Sequence, residues 1–174
     1  MRRNKVLMLI LSGLAVIALF FSAYQMTNKS IKAVKYNDKT VQFVHRSPQN
    51  TLEKLKNKEA GVYYFGFPTC PWCIELLPVL DKELKKQNFT AYVVNTRAEN
   101  YSDRDNNVLE KFFIERTDEK EVTVPFVVAI NRKGAIQTHI GTVSTHDAKK
   151  REMTVSEKKD LERILFRMIN FSKG

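Results

Sequence analysis

The sequence predicts an α/β domain carried behind an N-terminal transmembrane helix. Three observations lead there. The run from Val6 to Asn28 holds 23 residues without a charged side chain. Beyond it, segments with strand and helix periodicity alternate in the order β-α-β-α-β-α-β-β-α. One of those helices opens with a C-x-x-C pair directly after an apolar strand. A length of 174 residues suits one domain of ordinary size plus an appendage. With 43% hydrophobic and 28% charged residues, disorder is excluded for most of the chain.

Lys and Arg number 29 against 19 Asp and Glu, a net charge of +10, which at first invites a nucleic-acid partner. Six of the basic residues (Arg2, Arg3, Lys5, Lys29, Lys32, Lys35) fall in the first 35 positions, where no acid occurs. The rest of the chain keeps a surplus of only four, ordinary for a soluble surface, and no nucleic-acid partner is expected.

At about 1.5 Å per residue the uncharged run would extend roughly 34 Å as a helix, enough to cross a hydrocarbon core of about 30 Å. Its end, Phe20-Phe21-Ser22-Ala23-Tyr24-Gln25-Met26, has no small-x-small cleavage site, and no Cys follows to carry a lipid. An uncleaved signal-anchor over residues 1–28 is expected; a cleaved, freely secreted form is the lesser variant. Basic residues flank the run on both sides, Lys39 included. The order of short basic head, apolar run and long trailing domain places the N-terminus in the cytoplasm and the domain outside it. Residues 29–38 are polar and aperiodic and read as a juxtamembrane linker. The domain itself is expected over 39–174.

Thr40 to Arg46 reads as a first strand with Val41, Phe43 and His45 on one face. Asn50-Thr51-Leu52-Glu53 has the form of a capping box and predicts a short helix ending near Ala60-Gly61. Val62-Tyr63-Tyr64-Phe65 is apolar on both faces, as a central strand would be. After it comes Phe67-Pro68-Thr69-Cys70-Pro71-Trp72-Cys73, which contains both cysteines of the chain. Ile74, Leu76, Leu77, Val79, Leu80 and Leu84 then recur at helical spacing, so the motif opens a helix. Thiols at i and i+3 on a first turn share a face and can close a small disulfide ring. The first thiol also meets the unpaired N–H groups and positive dipole of the helix end, which stabilise a thiolate. Cys70 is the expected nucleophile, and Cys73, one turn deeper, the resolving thiol.

Two readings without redox chemistry compete. A structural disulfide over so short a loop would stabilise little. A zinc site would need two more ligands, and the remaining candidates are His45, His139 and His146, whose spacing does not suit one. No metal is expected, and each histidine is expected on the surface or on a strand face.

Further along, Phe89 to Asn95 reads as a strand and Asn107 to Glu115 as a helix. Val124 to Ile130 forms a strand that begins with a proline. Asn131-Arg132-Lys133-Gly134 then turns into a last strand over Ala135 to Ile140, stopped by Gly141. Thr154-Val155-Ser156-Glu157 caps a final helix with Leu161, Ile164, Leu165 and Met168 in one stripe.

Between about Asp38 and Asn170 this sequence resembles the thioredoxin superfamily. The likeness rests on Cys70-Pro71-Trp72-Cys73 after a buried strand, Pro78 five residues beyond the second Cys, Val124-Pro125 before the next-to-last strand, and Lys133-Gly134 followed by Gly141. With the anchor and the Phe-Pro-Thr-Cys-Pro-Trp-Cys stretch, it is similar to the membrane-anchored, extracytoplasmic bacteriocin transport accessory type. The resemblance implies a central mixed sheet flanked by helices and a redox-active centre at Cys70 and Cys73. It implies potential tuning by Pro71 and Trp72, and a cis Val124-Pro125 bond against Cys70 where substrate binds.

Two departures bear on mechanism. The family carries Trp before its first Cys, where this chain has Thr69, and a buried Asp that accepts the resolving thiol's proton, where this chain has Tyr64. Glu75 is the nearest acid, and a solvated helix face is expected for it. No glutathione-binding set is present, and no cofactor is expected. The implied function is a thiol-disulfide oxidoreductase acting on protein cysteines outside the cytoplasm, with a redox partner at the membrane and a link to a bacteriocin or peptide export system. The alternative is a non-enzymatic accessory or chaperone subunit of such an exporter, for which the cysteines are dispensable.

Overall fold

The computed structural model describes residues 35–174. The expected transmembrane helix over 1–28 and the first part of the linker lie outside the described residues. Nine elements follow in the order the periodicity predicts: β1 (Phe43–His45), α1 (Pro48–Lys56), β2 (Gly61–Gly66), α2 (Pro71–Lys86), β3 (Ala91–Asn95), α3 (Asp103–Ile114), β4 (Phe126–Ile130), β5 (Ile136–Ile140) and α4 (Val155–Lys173). Among the described residues, no helix is long and apolar enough to cross a membrane.

The strands form one mixed sheet in the order β1-β3-β2-β4-β5. β1 and β2 run parallel to β3, as helical crossovers require, while β4 and β5 pair antiparallel through a tight hairpin. In that hairpin the Gly134 N–H donates to Asn131 O at 2.9 Å, and Gly134 takes φ +74, a conformation costly for residues with a Cβ. β4 also pairs antiparallel with β2, which therefore lies at the centre of the sheet.

All six residues of β2 are buried, so its alternation divides the core in two. Val62 and Tyr64 face the layer of α2 and α4, packed with Leu76, Leu80, Leu161 and Leu165. Tyr63 and Phe65 face α1 and α3, packed with Leu52, Leu55, Leu109 and Phe113. Each such side chain contributes about 1.5–3 kcal/mol by burial, which is why β2 tolerates no polar alternation. Phe113 meets Phe126 edge-on at a centroid distance of 4.8 Å, closing the second layer over β4.

Local capping accounts for where several boundaries differ from expectation. α1 starts at Pro48 because Ser47 accepts the Asn50 N–H at 3.2 Å, and Pro48 sits at N1 where its missing N–H costs nothing. The expected box at Asn50 to Glu53 is interior helix, and α1 ends at Lys56. The first strand is shorter than expected because Thr40 to Gln42 form a turn, closed by the Phe43 N–H on Thr40 O at 3.1 Å. Of the three residues assigned to one face only Phe43 is buried; Val41 is 83% exposed and His45 is also exposed. α3 begins earlier than expected because Ser102 and Asp105 form a reciprocal capping box. The box at Thr154 and Glu157 is present where the sequence places it. The end of the expected linker belongs to the domain, since Tyr36 packs against the α2–α4 core.

Candidate active site

β2 ends at Gly66, and the chain crosses Phe67, Pro68 and Thr69 to reach Cys70, the N-cap of α2. The cap is made by sulfur: the Cys73 N–H donates to Cys70 Sγ at 3.2 Å. Pro71 fills N1, where a helix has no use for an N–H. A side chain at this position faces otherwise unpaired backbone donors, so the same geometry that starts the helix stabilises negative charge on the cap. Both cysteines are free thiols, Cys70 at 4% exposure and Cys73 at 0%.

The two thiols are unequal. A hydrogen bond from the Cys73 thiol, assisted by the backbone N–H groups of Cys73 and Trp72 and by the Arg97 charge, brings Cys70 down to about 7 against the opposing effect of burial. The hydrogen bond to Cys70, together with burial, pushes Cys73 far up. One proton is thus kept on the inner sulfur while the outer one ionises. A lowered pKa places the rise in reactivity at lower pH. Alkylation of Cys70 by iodoacetamide should climb between pH 6 and 8 and level off, with its midpoint near 7. An ordinary thiol of pKa about 8.5 is only about 3% ionised at pH 7, so Cys70 should react there on the order of ten times faster than a free cysteine of equal access. A midpoint above 8 would remove the helix-end argument.

The Val124-Pro125 bond is cis, and the Val124 carbonyl lies 3.7 Å from Cys70 Sγ. Val124 and Pro125 therefore stand beside Cys70, as do Pro71 and Trp72 by continuity of the chain. Two cations that sequence reasoning did not single out flank the motif. The Arg97 guanidinium stacks 3.6 Å from the Phe67 ring centroid, and Lys149 Nζ lies 5.7 Å from that of Trp72. Both arrive on loops far along the chain, and no local pattern marks them.

Glu75 is a correction. It is 8% exposed rather than solvated, because the segment joining β5 to α4 lies over the first turns of α2. Its Oε2 accepts the Met153 N–H at 2.7 Å, and its Oε1 lies 3.0 Å from His146 Nε2. His146 is correspondingly buried, with 7% exposure, not on the surface as expected. His45 is exposed and meets Asp38 O through Nε2; His139 lies on β5 and meets Thr142 O. Among the described residues, no group of three His, Cys, Asp or Glu is placed to hold a metal ion.

Behind the cysteines, Gly66 is pinned between Tyr64 and Cys73. A methyl group at Gly66 would collide with the Tyr64 hydroxyl and lie 2.9 Å from Cys73 Sγ. Only glycine lets β2 end so close to the inner thiol. No protein-family model and no curated protein matches this chain.

Proposed function

We propose that the protein is a membrane-anchored thiol-disulfide oxidoreductase of thioredoxin-like fold. The observation that carries the reading is Cys70 sulfur as the N-cap of α2, with the fully buried Cys73 thiol one turn behind it. The mixed five-stranded sheet, with the motif following its central strand, supports it. In the first step the Cys70 thiolate attacks a substrate disulfide; a mixed disulfide forms and one substrate sulfur leaves as thiolate. Cys73 then loses its proton to a solvent base and attacks Cys70 Sγ. The second substrate sulfur leaves, and the Cys70–Cys73 disulfide remains. The substrate gains two electrons and the protein loses two; the reverse sequence donates a disulfide.

The backbone of Val124 beside Cys70 suits an extended segment bearing the substrate cysteine. Substrates in this proposal are unfolded or loop cysteines of extracytoplasmic proteins, and a peptide export system is the partner the resemblance suggests. The uncharged run over Val6 to Asn28 supports the anchor and the outward domain. The test is exchange itself. The full chain in detergent should catalyse reduction of a disulfide-bonded peptide by dithiothreitol; a rate no faster than dithiothreitol alone would contradict the proposal.

A further inference from the structure

Tyr64 points from β2 onto the layer of α2, the face that also holds Cys73. Its side chain is fully buried, and its hydroxyl makes no hydrogen bond of good geometry among the described residues, although the Cys73 thiol and the Tyr36 hydroxyl both stand beside it. A buried hydroxyl left unpaired costs free energy that phenylalanine would avoid, so an oxygen at this position needs a reason. The nearest chemistry is the inner thiol: hydroxyl and sulfur close together over Gly66. The Tyr36 hydroxyl reaches the same place from the start of the domain and is the other group beside the Tyr64 oxygen, likewise without a hydrogen bond of good geometry. Burial and the neighbouring Cys73 push the Tyr64 phenol far above its usual range, so it keeps its proton and acts as a donor, never as a base.

A thiol is a weak acceptor, whereas a thiolate is a strong one. The hydroxyl therefore gains little while Cys73 is protonated and much once Cys73 ionises. We propose that the Tyr64 hydroxyl donates the hydrogen bond that receives negative charge on Cys73 Sγ during closure of the Cys70–Cys73 disulfide. It occupies the place where the resembled family keeps an acid, and works by the opposite chemistry. An acid there would take up the proton of Cys73. Tyr64 leaves that proton to solvent and stabilises the sulfur that remains. This inference rests on the dithiol-disulfide reading of the site.

The test is Tyr64→Phe in the full chain, with oxidised glutathione as the probe substrate. The change keeps the ring and deletes an oxygen that has no hydrogen bond of good geometry, so the thermal midpoint should stay nearly level. Rapid quenching and mass measurement follow formation of the glutathione adduct on Cys70 and its displacement by Cys73. Displacement should slow on the order of 10-fold, the size of a lost hydrogen bond to a charged group. Its pH profile should move to higher pH, a shift that a packing role alone would not produce. Adduct formation and Cys70 alkylation should stay within about twofold, since Cys70 takes its stabilisation from Cys73 and the helix end. If the unsubstituted chain closes its disulfide while Tyr64→Phe leaves displacement and its pH profile unchanged, the role of Tyr64 is overturned and the site stands. If the unsubstituted chain never closes it, both fall.

Discussion

Cys73→Ser should stop the reaction halfway and leave substrate covalently bound to Cys70. Cys70 keeps most of what makes it nucleophilic: the N-cap position, the Cys73 backbone N–H at 3.2 Å and the Arg97 charge all survive the change, and a serine hydroxyl can replace the thiol donor. What disappears is the sulfur that displaces the product. A mixed disulfide that normally lives briefly should then accumulate, recoverable under non-reducing conditions and released by dithiothreitol. Cys70→Ser is the counterpart. A serine hydroxyl does not ionise near pH 7, so first attack should drop to the uncatalysed background. Cys73 does not compensate: it is fully buried, and burial still disfavours its thiolate after the hydrogen bond to Cys70 is lost. Were Cys70→Ser to trap substrate and Cys73→Ser to trap none, the two roles would be exchanged.

Glu75→Ala should be strongly destabilising, costing about 2–6 kcal/mol, or about 1–3 for each of the two buried groups left without a partner. The carboxylate holds the Met153 N–H and the His146 imidazole, and His146 Nδ1 has no partner of its own. Removing it strands a buried backbone donor and a whole buried ring together. The consequence reaches function through the chain between Gly141 and Thr154. That segment brings Lys149 over Trp72, and Arg151 forms a paired contact with Glu157 at 2.6 and 2.7 Å. For a domain near this size a loss of that order lowers the thermal midpoint by roughly 10 °C. Limited proteolysis should cut first between residues 142 and 153. A loss below about 1 kcal/mol would mean that the segment is held by something other than Glu75.

The difference between what the sequence disclosed and what it concealed follows the range of the interactions. Cys70 as a helix cap, the Thr154–Glu157 box and the Asn131–Gly134 turn are fixed within four residues, and local spacing marks them. The start of α1 differs from expectation for an equally local reason: Ser47-Pro48 and Asn50 to Glu53 are competing caps, and proline at N1 settles the choice. The burial of Glu75 is not legible locally, because its partner His146 lies 71 positions away and no pattern around Glu75 signals a buried acid. Tyr64 stands out in the sequence for the acid it replaces, but its orientation is not legible there. Val62 to Phe65 is apolar at every position, so period-two alternation assigns no side, and only the packing of β2 against α2 places its hydroxyl by Cys73. Arg97 and Lys149 come from loops whose path depends on the whole sheet.

Whether Cys70 and Cys73 form a redox couple is decided by a redox titration of the full chain, equilibrated across buffers of reduced and oxidised dithiothreitol and of glutathione. Acid quenching and thiol labelling are then read by mass. One two-electron transition is expected, in which both thiols vanish together as an intramolecular Cys70–Cys73 disulfide, fully restored by reductant. Thiols that remain labelled across every buffer, or a persistent single adduct on Cys70 with Cys73 still free, would contradict it.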